Sequence, residues 1–164
     1  MRCPSPNEQL EGIEAEIRSP RSKSPKVELN ANTGFAGPLP IITTTLADPI
    51  NVVSVSIDTR GFQDPRVLLH FTGIINLPVG ISVTLNFQIV RTSSEGTTKV
   101  GSTYTFATLV NILEAESFAF QFFDSDIAPD NYTYSVNLST NSIIDITPGL
   151  TISATLSALA VDEN

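Results

Sequence analysis

The chain has 164 residues, 41% of them hydrophobic, with a single cysteine and a formal net charge of −8. The acidic excess lies in residues 50–164, and an anionic body repels phosphate backbones, which argues against nucleic acid as a partner. One cysteine excludes an internal disulfide framework and a cysteine-rich metal site. We therefore expect one globular domain with an extension.

Membrane and secretory segments are also not indicated. No apolar run approaches the roughly 20 residues that a membrane-spanning helix needs. The first residues, MRCPSPNEQL, lack the continuous apolar stretch of a secretory signal. We expect no membrane span and no Sec signal peptide.

Residues 1–38 have the composition of a flexible N-terminal arm, since prolines are frequent and Phe35 is the one aromatic residue. A short helix is predicted over residues 6–18, with Ser5 as its cap. Such a short helix is marginal alone and needs a partner surface. Its apolar side would carry Leu10, Ile13 and Ile17.

From residue 39 to 164, apolar and polar residues alternate with a period of two, as in residues 81–89. Short turn sequences separate the segments and no helical pattern intervenes. Eight strands with short connections predict an antiparallel β-sandwich, most simply an eight-stranded jelly roll. The strand sequences are IITTTL, NVVSVSID, RVLLHFTGIIN, VGISVTLNFQIVR, TTKVGSTYTFATL, SFAFQFF, NYTYSVNLS and LTISATLSALAV.

The predicted outer faces of these strands are rich in Ser, Thr and Asn and poor in charge. Soluble sheets normally carry charges at their edges, lysine above all, because charges oppose strand-to-strand association. A sandwich with so few of them is predicted to associate.

Catalytic residues are hard to find. The one histidine, His70, alternates with apolar neighbours and is predicted on an outer sheet face, and no GxSxG motif is present. Glu114 and Glu116 lie at a strand start, where a solvated edge is the ordinary environment of such a pair. We predict that the protein is not an enzyme and has no cofactor.

One acidic turn, DSDIAPDN, gathers carboxylates of the kind that bind a hard cation. It lacks the glycine and the closing glutamate of an EF-hand loop, so an ordinary acidic turn is the competing interpretation. The weak candidate ligands are Asp124, Asp126 and Asp130.

Several segments in order resemble an uncharacterised clostridial domain family whose members are typically cysteine-rich. The resemblance covers about residues 50–161 and is carried by VVSVSIDTRGFQDPRVLLHFTGII, SVTLNFQIVR, VGSTYTF, ESFAFQFFDSD, NYTYSV and TISATLSALAV. It implies an all-β fold and a spore-forming bacterial source. A small jelly roll with an N-terminal arm is also similar in architecture to endospore appendage subunits.

This chain departs from that family at the cysteines, so no metal-binding or crosslinking role of theirs transfers to it. Positions where the family tends to have cysteine carry Arg60, Phe62, Ser93, Ser125 and the turn DIAPDN.

The leading functional hypothesis is a structural subunit that assembles with itself through its arm into a layer or filament at a spore or cell surface. Leu10, Ile13 and Ile17 would dock on a neighbour, and Cys3 would form an intermolecular disulfide. An ordinary free thiol is the competing interpretation of Cys3. The IITTTL segment, with Ile41 and Ile42, would add a strand to a neighbouring sheet. Without spore or surface targeting, a cytoplasmic location is expected.

Two alternatives remain open. A carbohydrate- or ligand-binding sandwich would use the rings of Tyr104, Tyr132 and Tyr134, although their spacing favours burial in the core. A viral coat-like jelly roll would use the basic segment SPRSKSPK as its arm.

Overall fold

The computed structural model describes residues 25–39, 48–78, 81–110, 114–140 and 149–162. All regular structure in these ranges is β-strand. The eight strands are β1 (Val27–Ala36), β2 (Ile50–Asp58), β3 (Pro65–Leu77), β4 (Ile81–Ser93), β5 (Gly96–Val110), β6 (Glu114–Asp124), β7 (Asn131–Thr140) and β8 (Thr151–Asp162).

The strands form two antiparallel four-stranded sheets, which confirms the predicted fold class. The first sheet has the order β1-β8-β3-β6 and the second has the order β2-β7-β4-β5. The chain forms one long antiparallel ribbon that folds back on itself between β4 and β5. In this ribbon β4 pairs with β5, β3 with β6, β2 with β7 and β1 with β8. Rolling the ribbon adds the β3–β8 and β4–β7 pairs, and the result is a jelly roll.

The core lies between the sheets and follows from the two-residue period. On β3 and β8 every second residue is buried along nearly the whole strand. Aromatic rings form a cluster within the core: Phe120 stacks on Tyr104 with centroids 3.9 Å apart and on Phe71 at 4.7 Å. Phe87 is fully buried beside them. Such contacts stabilise the packing of the two sheets beyond simple area burial.

The prediction of a flexible arm over residues 1–38 is wrong where it includes β1. Val27–Ala36 pairs along its full length with β8, from Val27 opposite Val161 to Ala36 opposite Ile152. The sandwich therefore begins at Val27, not at residue 39. The physical reason for the error is that β1 has its apolar residues on its outer side, while Glu28, Asn30 and Asn32 point toward β2.

Strands β1 and β2 lie at the same margin of the two sheets and are joined by side chains. The Nδ2 group of Asn30 donates a hydrogen bond to the carbonyl of Ser56 at 2.8 Å, and that of Asn32 donates to Ser54 at 2.9 Å. The Asp58 amide donates to Glu28 Oε1 at 3.2 Å. We call this contact the β1–β2 seam. Its facing residues run in antiparallel register: Glu28 with Asp58, Asn30 with Ser56, and Asn32 with Ser54.

The seam ends where the two backbones come closest, at Gly34. A Cβ atom at this position would lie 2.1 Å from the carbonyl oxygen of Val52 and 2.7 Å from the Cβ of Val53. Because no side chain fits in that space, glycine is required by contact rather than by its backbone angles.

Several predicted features lie outside the described residues. They are the helix over residues 6–18, the strand IITTTL, and the assembly residues Cys3, Leu10, Ile13, Ile17, Ile41 and Ile42.

Candidate assembly surface

The outward-facing side of the first sheet is a broad surface with almost no charge. Among the outward side chains of its four described strands, Arg66 is the one formal charge, and its guanidinium lies 3.7 Å from the Asp64 carboxylate. We call this surface the apolar face. Its members are Val27, Leu29, Ala31, Thr33 and Phe35 of β1; Thr151, Ser153, Thr155, Ser157, Leu159 and Val161 of β8; Arg66, Leu68, His70, Thr72, Ile74 and Asn76 of β3; and Ala115, Ser117, Ala119, Gln121 and Phe123 of β6.

One row of four large apolar residues crosses the apolar face from edge to edge. Leu29 faces Leu159, which faces Leu68, which faces Phe123. The two end members are well exposed, Leu29 at 69% and Phe123 at 51%. A contiguous row of large apolar residues, one from each strand of the sheet, is unusual on a surface that stays in water. Such exposed apolar patches mark interaction sites.

A second row, three register steps away, mixes large and small residues. Phe35 and Ile74 are 58% and 53% exposed and are separated by Ser153, with Ser117 at the far end. The small residues beside them leave a shallow open depression of about 420 Å³. Its outward lining is Thr33, Thr72, Ile74, Ser117, Ala119, Ser153 and Thr155.

The outer side of the second sheet is chemically different, since its polar side chains bind one another. Hydroxyl pairs join Ser54 to Ser135 and Ser56 to Thr133, both at 2.8 Å. Asn86 accepts a hydrogen bond from Thr105 at 2.9 Å. Because these polar groups already have partners, this side offers little to an apolar surface, and the two sides of the sandwich are distinct.

Two of the three candidate carboxylates of the acidic turn, Asp124 and Asp130, are bound by other groups of the protein. Asp124, at the end of β6, accepts two hydrogen bonds from Nη1 of Arg91, at 3.0 and 2.9 Å, and one from the Tyr134 hydroxyl at 2.9 Å. Arg91 projects inward from β4, so this contact joins the two sheets. The Arg91 guanidinium also lies 5.7 Å from the centre of the Tyr132 ring, within cation–π range.

This buried cluster shifts the pKa values of its members. Burial and then the charge of Asp124 raise the pKa of Tyr134, so its hydroxyl remains a donor. Burial alone lowers the pKa of Arg91, but the hydrogen bonds and the charge of Asp124 outweigh it, and the pKa is raised overall. The cluster is a structural ion pair with a fixed hydroxyl donor.

Asp130 lies across the same end of the molecule in a different environment. Its Oδ2 accepts hydrogen bonds from the Ser94 hydroxyl and amide, at 2.5 and 3.0 Å, and its Oδ1 accepts one from the Asn131 amide. These bonds, the Ser94 hydroxyl first, lower the pKa of Asp130. Asp126 is exposed. Within the described ranges, no group of three or more His, Cys, Asp or Glu side chains is arranged to hold a metal ion.

The remaining candidate residues are placed as the alternation predicts. His70 faces outward in the middle of the apolar face, between Gln121 and Ser157. Tyr132 and Tyr134 are buried in the core, and Tyr104 is stacked on Phe120. Tyr132 and Tyr134 are therefore not available as open platforms for a sugar.

Two functional features were missed by sequence reasoning. In the sequence, Arg91 lies at the end of a strand and is easily taken for a surface residue. The signal for its inward position is strand alternation, because Ile89 and Arg91 are two residues apart and point the same way. The apolar face depends on β1, whose composition resembles a linker. The signal for it was the alternation of Val27, Leu29, Ala31, Thr33 and Phe35.

These features define a jelly-roll sandwich whose first sheet has a charge-poor outer face. In the part of the chain that the structure describes, no helix has the length and apolar character needed to cross a membrane. Residues 29–161 match the family described as "Domain of unknown function (DUF4489)", and the chain belongs to that family. No curated protein matches the chain in sequence.

Solved structures with a similar fold include viral proteins. The infectious bursal disease virus Gx strain structure is 12% identical with a TM-score of 0.46, over 85% of this chain and 33% of that chain. The VP2 subviral particle of the same virus is 13% identical with a TM-score of 0.45, over 84% and 32%. Desmodium yellow mottle tymovirus is 11% identical with a TM-score of 0.36, over 90% and 94%. The chain thus spans about a third of the length of the first two.

Proposed function

We propose that the protein is a non-enzymatic structural subunit that associates with copies of itself. The observation that carries this proposal is the apolar face, a whole sheet surface with a row of four large apolar side chains and one formal charge. Such a surface is stable in water only at a cost in free energy, and association removes that cost.

The rest of the described surface supports a structural role. In the acidic turn, Asp124 is bound by Arg91 and Tyr134, and Asp130 by Ser94, which gives these two carboxylates structural roles. The second sheet presents hydroxyl and amide groups paired across strands. Both arrangements join neighbouring strands through side-chain hydrogen bonds, which suits a structural building block.

The N-terminal segment is proposed to extend the assembly beyond its first contact. It joins the sandwich at Val27, a corner residue of the apolar face. Its apolar positions Leu10, Ile13 and Ile17 would dock on a neighbouring copy, and Cys3 would lock the contact as an intermolecular disulfide. A spore or cell-surface layer or filament is the setting in which we propose that this occurs.

The proposal is tested by particle size. Light scattering and negative-stain electron microscopy of the full chain, at increasing concentration, should show particles larger than a monomer under reducing conditions. Oxidation should enlarge or stabilise them, and C3S should remove that added effect.

The role of the segment is tested by L10E/I13E/I17E, which should reduce particle size. The matched control, E11Q/E14Q/E16Q, changes as many charges in the same segment without touching the apolar positions. A full-length protein that stays monomeric at about 1 mM, both reduced and oxidised, would refute the proposed function.

A further inference from the structure

The geometry points to a specific first contact: the apolar face binds the apolar face of a second copy, in a two-fold symmetric dimer. This inference rests on the proposed function and adds to it the partner, the surface and the symmetry. Four features of the described residues support it.

The first feature is charge. The chain carries −8, so two copies repel each other over most of their surfaces. On the apolar face, however, no outward residue of β1, β8, β3 or β6 is acidic, and Arg66 lies at one end beside Asp64. Two such faces therefore meet without bringing acidic groups together, so the acidic excess of the chain does not oppose this contact directly.

The second feature is area. Four strands spaced about 4.8 Å apart, each about ten residues long at about 3.4 Å per residue, give a face of roughly 650 Å². Two faces together bury roughly 1,300 Å², which lies within the range of specific, stable protein–protein interfaces. A single short helix would cover only part of this width, so a second sheet fits the surface better than the N-terminal segment does.

The third feature is self-complementarity. A two-fold axis parallel to the strands, between the central strands β8 and β3, places each row of the face against the same row of the second copy. In the apolar row, Leu159 then faces Leu68 of the second copy and Leu29 faces Phe123. All four contacts of the row are apolar. In an isologous interface both copies use the same surface patch, so that patch must be complementary to itself.

The fourth feature concerns the depression. In the mixed row the same axis places Phe35 opposite Ser117 of the second copy and Ile74 opposite Ser153. Large side chains thus meet the small ones that line the depression. Sheets that pack face to face fill their interface by this kind of interdigitation.

The test introduces one charge at the centre of the apolar face. Thr155 is exposed in the middle of β8, so T155E leaves the core untouched. The matched control is T84E, which places the same charge on the outer side of the second sheet. Sedimentation velocity of the full chain in reducing buffer should show a dimer for wild type and T84E. The dissociation constant of T155E should rise by about 100-fold or more, because an unpaired charge would be buried in the contact.

A crosslinking measurement gives a second readout that does not depend on a disruptive change. In a C3S background, T155C should form a covalent dimer with a short bis-maleimide at low micromolar protein, whereas T84C should not. Circular dichroism of T155E and T84E must show the same folded spectrum.

The outcomes separate the dimer from the proposed function. If wild type associates but T155E and T84E behave alike and T155C does not crosslink, the apolar face is not the interface, although self-association stands. If L10E/I13E/I17E strengthens association and adding T155E abolishes the gain, the N-terminal segment covers the apolar face in the wild-type chain, and a dimer of the wild-type chain through that face is refuted. A protein monomeric in all conditions refutes both.

Discussion

Arg91 of β4 and Asp124 of β6 belong to different sheets and are joined by two hydrogen bonds, of 3.0 and 2.9 Å. Tyr134 of β7 adds a third at 2.9 Å. One carboxylate therefore ties three strands together at one end of the jelly roll.

Removing that carboxylate should destabilise the fold strongly. D124A leaves the Arg91 guanidinium and the Tyr134 hydroxyl without this partner, and breaking a buried pair from one side costs about 3–5 kcal/mol. Urea unfolding measures the change. D126A, an exposed aspartate two residues away, should change the free energy of unfolding by less than about 0.5 kcal/mol. Equal effects of the two substitutions would show that the ion pair is unimportant.

The β1–β2 seam should contribute measurably to stability. N30A/N32A removes two side-chain hydrogen bonds to the carbonyls of Ser56 and Ser54, and each is worth about 1 kcal/mol. We expect a loss of about 2 kcal/mol in chemical denaturation. T33A, on the outward side of the same strand, is the control. Equal free energies of unfolding for N30A/N32A and T33A would mean that water replaces the hydrogen bonds of the two asparagines at no cost.

A methyl group at position 34 should force β1 and β2 apart. The Cβ of G34A would meet backbone atoms of Val52 and Val53, which cannot rotate away, so the cost should reach about 3 kcal/mol. G61A is the matched control, since the nearest atom to its Cβ is the Lys26 ammonium nitrogen at 3.5 Å, an ordinary contact. Thermal unfolding compares them. A G34A protein as stable as G61A would contradict the close approach.

Acid should weaken the turn after β2. Hydrogen bonds from the Arg60 side chain, and then from its backbone amide, lower the pKa of Asp58 from 3.8 to about 2. A carboxylate with a lowered folded-state pKa stabilises the fold above its unfolded pKa and loses that contribution as pH falls through its folded value.

The window for this effect therefore runs from about pH 4 down to about pH 2. The stability difference between wild type and D58N should be constant above pH 4 and vanish near pH 2. Because the pair is exposed, added salt should shrink the difference. Chemical denaturation at a series of pH values measures it, and a difference that persists at pH 2 would contradict the assignment.

Most of the fold was predictable because the core strands obey a simple rule. In β3, and in β4 as far as Ile89, the inward positions are apolar and the outward ones are mostly polar, so alternation alone gives both the strand and its orientation. The position of His70 and the burial of Tyr134 follow from the same rule.

The alternation rule failed at β1, where the inward side chains are polar and form hydrogen bonds. Asn30 and Asn32 bind backbone carbonyls of β2 instead of entering the core, so the usual assignment of apolar residues to the inside reverses. Asp124 and Arg91 are a similar case, because a charge that points inward is visible only once its partner is known to be near. These contacts join residues far apart in sequence, and no local pattern contains them.

The place of β8 between β1 and β3 has a consequence for how the molecule is made. Strand β1 precedes the other seven described strands in the chain, yet its backbone partner in the first sheet is the eighth. Until Thr151–Asp162 leaves the ribosome, the earliest strand has no ladder to join, and pairings this distant form slowly. The first sheet should consequently be completed only after β8 has been synthesised.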